Sequence, residues 1–440
     1  MSPGNALIAA DLTAGILDAF RDLKATSART ARLEALAHFE KLGFPKSKDE
    51  EYRFTPITRS LEKFFKPSDF SLETVPSALA SIEKYVISSL SCNRVVFVNG
   101  FYREDLSVIV SPPEQLTVMP LEHALLQQAD RVNAYFAKVA VPSTDAFVAL
   151  NTTLWQSGVF IQVPKNTTLD KPVLFLNLHD SVLRPVVSQP RILALLEENS
   201  EACFVEEAHV EGSHPVFSSA VEEIVLKDYA TLHHHILQRS PGIIQVSNTR
   251  LLQHQGSKVN TFTITLDGLL IRNNLSLSID GERCESHFHG LYLLHKNTVA
   301  DNHTVVDHRQ PNSFSNELYK GIIDGHSKAV FNGKIYVRPH AQKTNAFQSN
   351  RNILLSDTAT INTKPQLEIW ADDVKCSHGC TSGQLDEEAL FYLRSRGIEG
   401  RIARAMLLGA FAGEVLDPIR YPEIKNYFAT LVSQRLQHES

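Results

Sequence analysis

LLEENSEA (195–202), VLKDYATL (225–232), LLQHQGSKV (251–259), IIDGHSKA (322–329) and LLSDTATI (354–361) are five renderings of one unit. Each has two apolar residues, a short polar turn, a small residue, a polar one and then an apolar one. Successive copies lie about 27 to 32 residues apart, with one longer interval that reads as holding an insertion. Between them run short β-branched stretches such as VFIQVP, KPVLFLNL and FTITLDG, broken by Gly, Asn, Asp or Ser. Helical periodicity is nearly absent from roughly residue 145 to 384. A unit of this size made only of strands predicts a parallel β-solenoid with three short strands per coil. One coil cannot bury its own apolar inside, so coils stack. A large sandwich or jelly roll is the competing reading.

The flanks read as helix. LTAGILDAFRDL places Leu12, Ile16 and Phe20 at helical spacing, and ARLEALAHFEKL repeats this with Leu33, Leu36 and Phe39 before Gly43 and Pro45 stop it. RVVFVNGFYREDLSVIV reads as a hairpin turning at Asn99-Gly100. In QLDEEALFYLRSRGI, Asp386 is the expected N-cap, Leu385 and Leu390 a hydrophobic staple, and Gly397 the left-handed stop. Two more helices follow, over EGRIARAMLLGAFAGEVL and EIKNYFATLVSQRL. The first is apolar nearly all round, which implies burial on two sides, under the third helix or also against a partner. The chain thus divides into a mixed, mostly helical region (1–130), a β-helix core (131–378) and a C-terminal helical region (379–440).

The 440 residues carry 43 Lys+Arg against 49 Asp+Glu, a formal net charge of -6. No basic run stands out, which argues against nucleic acid as a main partner. No apolar run reaches the length of about 18 residues that suggests a membrane span. The N-terminus has no basic stretch before an apolar core and carries Asp11 and Asp18. Five cysteines are too few and of the wrong parity for a disulfide framework, so a reducing, cytoplasmic setting is expected. GxxxxGK[ST], GxSxG, HExxH and GxGxxG are all missing, so any ATP-driven step must come from a partner.

His233, His234 and His235 lie in a strand-like run, where His233 and His235 share one face and His234 takes the other. Cys284 is out of phase with His287 and His289. Neither run supplies three ligands on one face, so both read as solvated or hydrogen-bonded strand histidines. DDVKCSHGCTSG differs. Cys376, His378 and Cys380 fall at i, i+2 and i+4, and an extended segment projects all three to one side. Thiol, imidazole and thiol form a soft donor set suited to iron, zinc or sulfur chemistry. The segment sits where solenoid gives way to helix, hence at an exposed end. Three donors leave a site incomplete unless a partner contributes.

The stretch from Phe331 to Ile398, which contains KCSHG, resembles the SufB/SufD family of iron–sulfur cluster assembly proteins, and KCSHG resembles the SufD side of it. DAFVALNTTLWQSGVFIQVPKNTTLDKP and VFVNGFYREDLS add to the likeness, which covers roughly residues 90 to 420. The resemblance implies a mainly β fold with a right-handed parallel β-helix between N-terminal and C-terminal helical regions. It implies a non-catalytic scaffold subunit of a SufBCD complex that pairs with a SufB-like subunit through the β-helices. A SufC-like ABC-type ATPase would bind the C-terminal helices, and a separate donor system would supply sulfur. No cofactor is expected to stay bound; iron or a nascent cluster would pass transiently. His378 is the position the resemblance marks as facing the SufB-like subunit, with Cys376 and Cys380 as further candidate ligands. Cys380 stands where the family usually has Ala. A homodimer in the absence of a SufB-like subunit is left open, and no flavin site can be located. The rival enzyme reading is a β-helix polysaccharide lyase or hydrolase using Glu206, Glu207, Glu222 and Glu223, although these read more simply as lying on solvated faces.

Overall fold

The structure, a computed structural model, describes residues 3–23, 28–71 and 82–438. Helices α1 (Pro3–Asp22), α2 (Arg29–Leu42) and α3 (Ile57–Phe64) come first. Next come strands β1 (Asn93–Val98), β2 (Phe101–Tyr102) and β3 (Thr117–Pro120), then α4 (Leu121–Gln127), α5 (Ala129–Asn133) and α6 (Ala146–Leu154). The solenoid opens with β4 (Gly158–Val163), β5 (Val173–Ser181), β6 (Val186–Ser188), β7 (Arg191–Leu196), β8 (Glu201–Gly212) and β9 (Val216–Leu226). It continues through β10 (Thr231–Arg239), β11 (Ile243–Gln253), β12 (Lys258–Asp267), β13 (Leu270–Ile279), β14 (Glu285–Leu294) and β15 (Val299–His308). It closes with β16 (Phe314–Ile323), β17 (Lys328–Val337), β18 (Asn345–Leu354), β19 (Thr360–Ile369) and β20 (Lys375–Gly383). Helices α7 (Glu387–Ser395), α8 (Gly400–Leu416) and α9 (Pro422–His438) follow.

Among the described residues the strands form two ten-stranded sheets. The first runs β2-β1-β5-β8-β10-β12-β14-β16-β18-β20, and the second runs β19-β17-β15-β13-β11-β9-β7-β4-β3 with β6 beside β9. Every strand pairing among β4 to β20 is parallel. The mainly β solenoid with helical flanks is therefore as the repeats predict. The coil differs from expectation in having two strands of about ten residues, one per sheet, rather than three short ones. Turns at two corners suffice to reverse a flattened coil.

The longer interval in the repeat holds no insertion. Ala202, Leu232 and Val259 stand in one column of the first sheet, which continues through Ser286, Ser315, Ala346 and Cys376. Ala329 and Ile361 stand in a column of the second sheet, below Ala300. The phrase thus marks both corners of the coil, because both need the same tight turn before an inward-facing small or apolar residue. Many corners carry a residue with positive φ, such as Asn199, Tyr229, Lys296 and Gly325. Strand alternation sends every second side chain inward, so one core of residues from both sheets fills the stack.

The two outer faces are covered differently. Helices α1 to α3 and α6 pack outside the second sheet, where Phe39, Leu61 and Phe147 meet Phe217, Ile244 and Leu270. Arg272 of β13 and Asp301 of β15, 2.5 Å apart, anchor this layer through Thr55, which bonds Asp301, and Tyr52, which lies under the guanidinium. On α2 the buried face is Arg32, Ala35 and Phe39, whereas Leu33 is 45% exposed, so the expected Leu33/Leu36 stripe is rotated. Arg32 takes the inner position because it stacks on Trp155 and donates to the Thr153 carbonyl at 3.0 Å. At the N-terminal end the antiparallel β1–β2 hairpin and the antiparallel β3 terminate the sheets. Asn99 and Gly100 turn that hairpin with φ of 51° and 86°.

Candidate functional site

The C-terminal end of the stack ends differently. Among the described residues, β19 and β20 are the last strands of their sheets and pair on one side only. Strand β20 continues β18 in register, with Cys376 beside Ala346, His378 beside Gln348 and Cys380 beside Asn350. Those three β18 residues are buried in the solenoid interior. The expectation that Cys376, His378 and Cys380 share a face is met, and that face is the interior, at a coil with nothing stacked beyond it. Cys376 is consequently half-buried against the core, while His378 and Cys380 are exposed.

The three donors form a row and do not converge. Alternate residues of a strand lie about 6.6 Å apart and the ends of the row about 13 Å apart, too far for one ion to take all three. Cys380 Sγ instead donates to Thr363 Oγ1 of β19 at 3.3 Å, which ties the two sheets across the mouth. Burial pushes the Cys376 thiol up. The floor beneath is polar. Gln348 Nε2 donates to Glu317 Oε2 at 3.4 Å, and Thr304 Oγ1 donates to the same oxygen at 2.5 Å. Burial pushes the Glu317 carboxyl up to about 7. Asn350 Nδ2 donates to the Tyr292 hydroxyl at 2.9 Å, which in turn donates to Asn352 Oδ1 at 2.6 Å. Interior glycines make room for these rings: Gly290 lies beside Tyr319 and Gly321 beside Tyr292.

The C-terminal helices cover the outside of the first sheet. Asp386 caps α7 by accepting from the Glu388 and Ala389 amides, and Gly397 beyond it has φ of 85°. Leu408, Ala412 and Val415 of α8, with Phe428, Val432 and Leu436 of α9, pack among Val205, Phe262, Leu291 and Ile322. Lys320, whose side chain is fully enclosed, reaches out of the sheet to Glu414 at 2.8 Å and to the Phe411 carbonyl at 3.0 Å. Of the two sides of α8 expected to be buried, only one is covered within this chain. One side is buried, and the other leaves Ile402 and Met406 about half exposed beside a groove of about 660 Å³ between α8 and α9.

Two geometries are thus on one chain: an unpaired sheet edge bearing thiol and imidazole, and an apolar helical groove. Residues 179–411 match the SUF system FeS cluster assembly SufBD core domain, and residues 16–175 match the SufBD protein N-terminal region. The chain belongs to the SufBD family. It is 33% identical over 406 residues to an iron–sulfur cluster assembly SufBD family protein of Synechocystis sp., covering 90% of this chain and 88% of that one. It is 29% identical over 413 residues to the iron–sulfur cluster assembly protein SufD of Escherichia coli, covering 92% of each. The chloroplastic protein ABCI7 of Arabidopsis thaliana is 28% identical over 403 residues, 87% of this chain and 81% of that one. This SufBD-family chain is a SufD-like homologue, a protein of iron–sulfur cluster assembly.

The carboxylates weighed for a sugar-cleaving groove are not on solvated faces. Glu207, Glu222 and Glu223 are buried, and Glu206 points into the interior. Glu223 pairs with Arg191 at 2.5 Å, and Glu207 with Arg239 at 2.5 Å. His234 is likewise an interior residue, beside Glu206 and Glu222. Reading each run alone missed this meeting. Aligning the corner at Ala202 with that at Leu232 would have put positions 206 and 234 on one inner face.

Proposed function

We propose that this SufBD-family chain is the SufD-like scaffold subunit of a SufBCD-type assembly complex, with iron or a nascent cluster as cargo and His378 as the donor it offers. The observation that carries the reading is the row Cys376, His378 and Cys380 on the unpaired β20, continuing the interior columns. An open edge invites another strand, and strands pair about 4.8 Å apart. A SufB-like solenoid docked there brings its own donors closer to His378 than Cys376 or Cys380 lie. That distance explains why one chain presents an incomplete ligand set. Imidazole and thiolate both suit iron. The half-exposed Ile402 and Met406 beside the α8–α9 groove give an ABC-type ATPase an apolar handle, and Met adapts readily to a partner surface. Sulfur arrives from a separate donor, and the chain itself performs no bond-making chemistry in this scheme.

The test is co-expression with SufB-like and SufC-like partners, followed by reconstitution. His378→Ala should leave the complex intact by gel filtration while lowering bound iron and sulfide. Unchanged iron and sulfide in that variant rejects the role of His378. Met406→Glu should release the ATPase and keep the two solenoids together; retention of the ATPase rejects the groove as its dock.

A further inference from the structure

Inside the coil stack, well away from the mouth, three acid–base side chains from three strands meet. They are Glu206 of β8, Glu222 of β9 and His234 of β10, and one ligand atom from each lies within 4.8 Å of the others. Glu206 bonds His234 Nε2 directly, and Glu222 Oε2 lies 3.9 Å from the same nitrogen. Thr249, the ladder partner of Glu222, donates to Glu222 Oε2 at 3.0 Å and fixes that carboxylate. The Phe204 ring meets His234 edge-on at 6.4 Å.

Three features mark this as more than a polar flaw in the core. His234 Nδ1 and the hydroxyl of Thr261, the next residue in its column, are buried without a hydrogen-bond partner. Glu206 lies deep in the protein, yet 14% of its side-chain surface is open. Among the described residues, neither carboxylate forms an ion pair with a lysine or arginine. Without a cation the pair stays buried only by holding protons. Two carboxylates and a neutral imidazole sum to a charge that one divalent ion cancels. Isolated buried charges cost several kcal/mol each.

We propose that Glu206, Glu222 and His234 bind one divalent first-row ion of the zinc type, enclosed in the solenoid and linking both sheets. Metal–oxygen and metal–nitrogen bonds of about 2.0 to 2.2 Å place ligand atoms at separations within the observed cluster. The ion is taken up as the coils close and acts as a structural clip. The site uses none of the residues at the mouth and stands apart from the cluster-assembly reading.

The test uses the full chain carrying C376S, H378A and C380S, made in zinc-supplemented cells and dialysed against EDTA. Metal analysis should find about one equivalent of zinc, with a water completing the three side-chain ligands. Loss of outer hydrogen-bond partners alone weakens metal sites about 10- to 100-fold, so Glu206→Gln, Glu222→Gln and His234→Gln should each lower retained zinc roughly tenfold or more. Circular dichroism and gel filtration verify folding of each. Cobalt substitution gives a reading independent of those variants: its spectrum should show oxygen and nitrogen ligation with no thiolate band. A background variant with no stoichiometric zinc means a proton-sharing pair only and overturns the site. Zinc retained in folded Glu222→Gln and His234→Gln, or a thiolate band with cobalt, overturns it as well.

Discussion

Removing the carboxylate of Glu223 asks how firmly the N-terminal region is held to the solenoid. Arg191 and Glu223 lie 2.5 Å apart with fully buried side chains. Arg191 also donates to Thr152 Oγ1 at 2.8 Å and Asn151 Oδ1 at 3.2 Å, while Glu223 Oε1 accepts from the Ala140 amide at 3.0 Å. One ion pair therefore joins β7, β9, α6 and the loop before it. Breaking a buried pair from one side costs about 3 to 5 kcal/mol. Orphaning the Ala140 amide adds about 1 to 3 kcal/mol, and because neighbouring terms overlap, Glu223→Ala should lose about 4 to 6 kcal/mol. Glu223→Gln keeps an acceptor for Ala140 and should lose roughly half of that. Arg191→Met with Glu223→Leu removes both charges and should cost only about 1 to 2 kcal/mol. Urea unfolding followed by circular dichroism measures all four proteins, and hydrogen exchange over residues 140–155 localises the effect. A loss below about 1 kcal/mol for Glu223→Ala, or a double replacement as costly as Glu223→Ala, would refute the reasoning.

Acid should loosen the N-terminal layer through Asp301. Burial alone would raise that carboxyl, but Arg272 at 2.5 Å and His303 at 2.9 Å hold it at about 2. A depressed carboxyl stabilises the fold above its unfolded value near 4, and the roughly 2 kcal/mol involved fades as the pH falls through about 2. Asp301→Asn should flatten that limb of an acid titration followed by fluorescence; an unchanged limb counts against the assignment. Gly290→Ala would set a Cβ 2.1 Å from the Tyr319 ring and should cost about 1 to 3 kcal/mol in thermal unfolding. Tyr319→Leu in the same chain should recover part of this, and no recovery would mean the clash lies elsewhere. Asp386→Ala removes the acceptor for two amides and should cost α7 about 1 kcal/mol. Hydrogen exchange across 387–395 reads that fraying, and unaltered exchange would show the cap to be idle.

The corner phrase, the Asn99-Gly100 turn, the Asp386 cap and the KCSHG row were all legible from residue order. Each is a local demand: a tight turn wants a left-handed residue, a helix start wants an acceptor, and alternation along a strand puts 376, 378 and 380 on one side. Order alone did not say that a coil has two strands, because identical turn chemistry serves both corners. It did not show that Arg32 displaces Leu33 from the buried face of α2, since that depends on Trp155 and the Thr153 carbonyl, more than a hundred residues away. Nor did it bring Glu206, Glu222 and His234 together, or set His378 in an interior column that ends at an unpaired edge. Those are facts of register between coils, and register is fixed only when the whole stack buries its inward side chains at once.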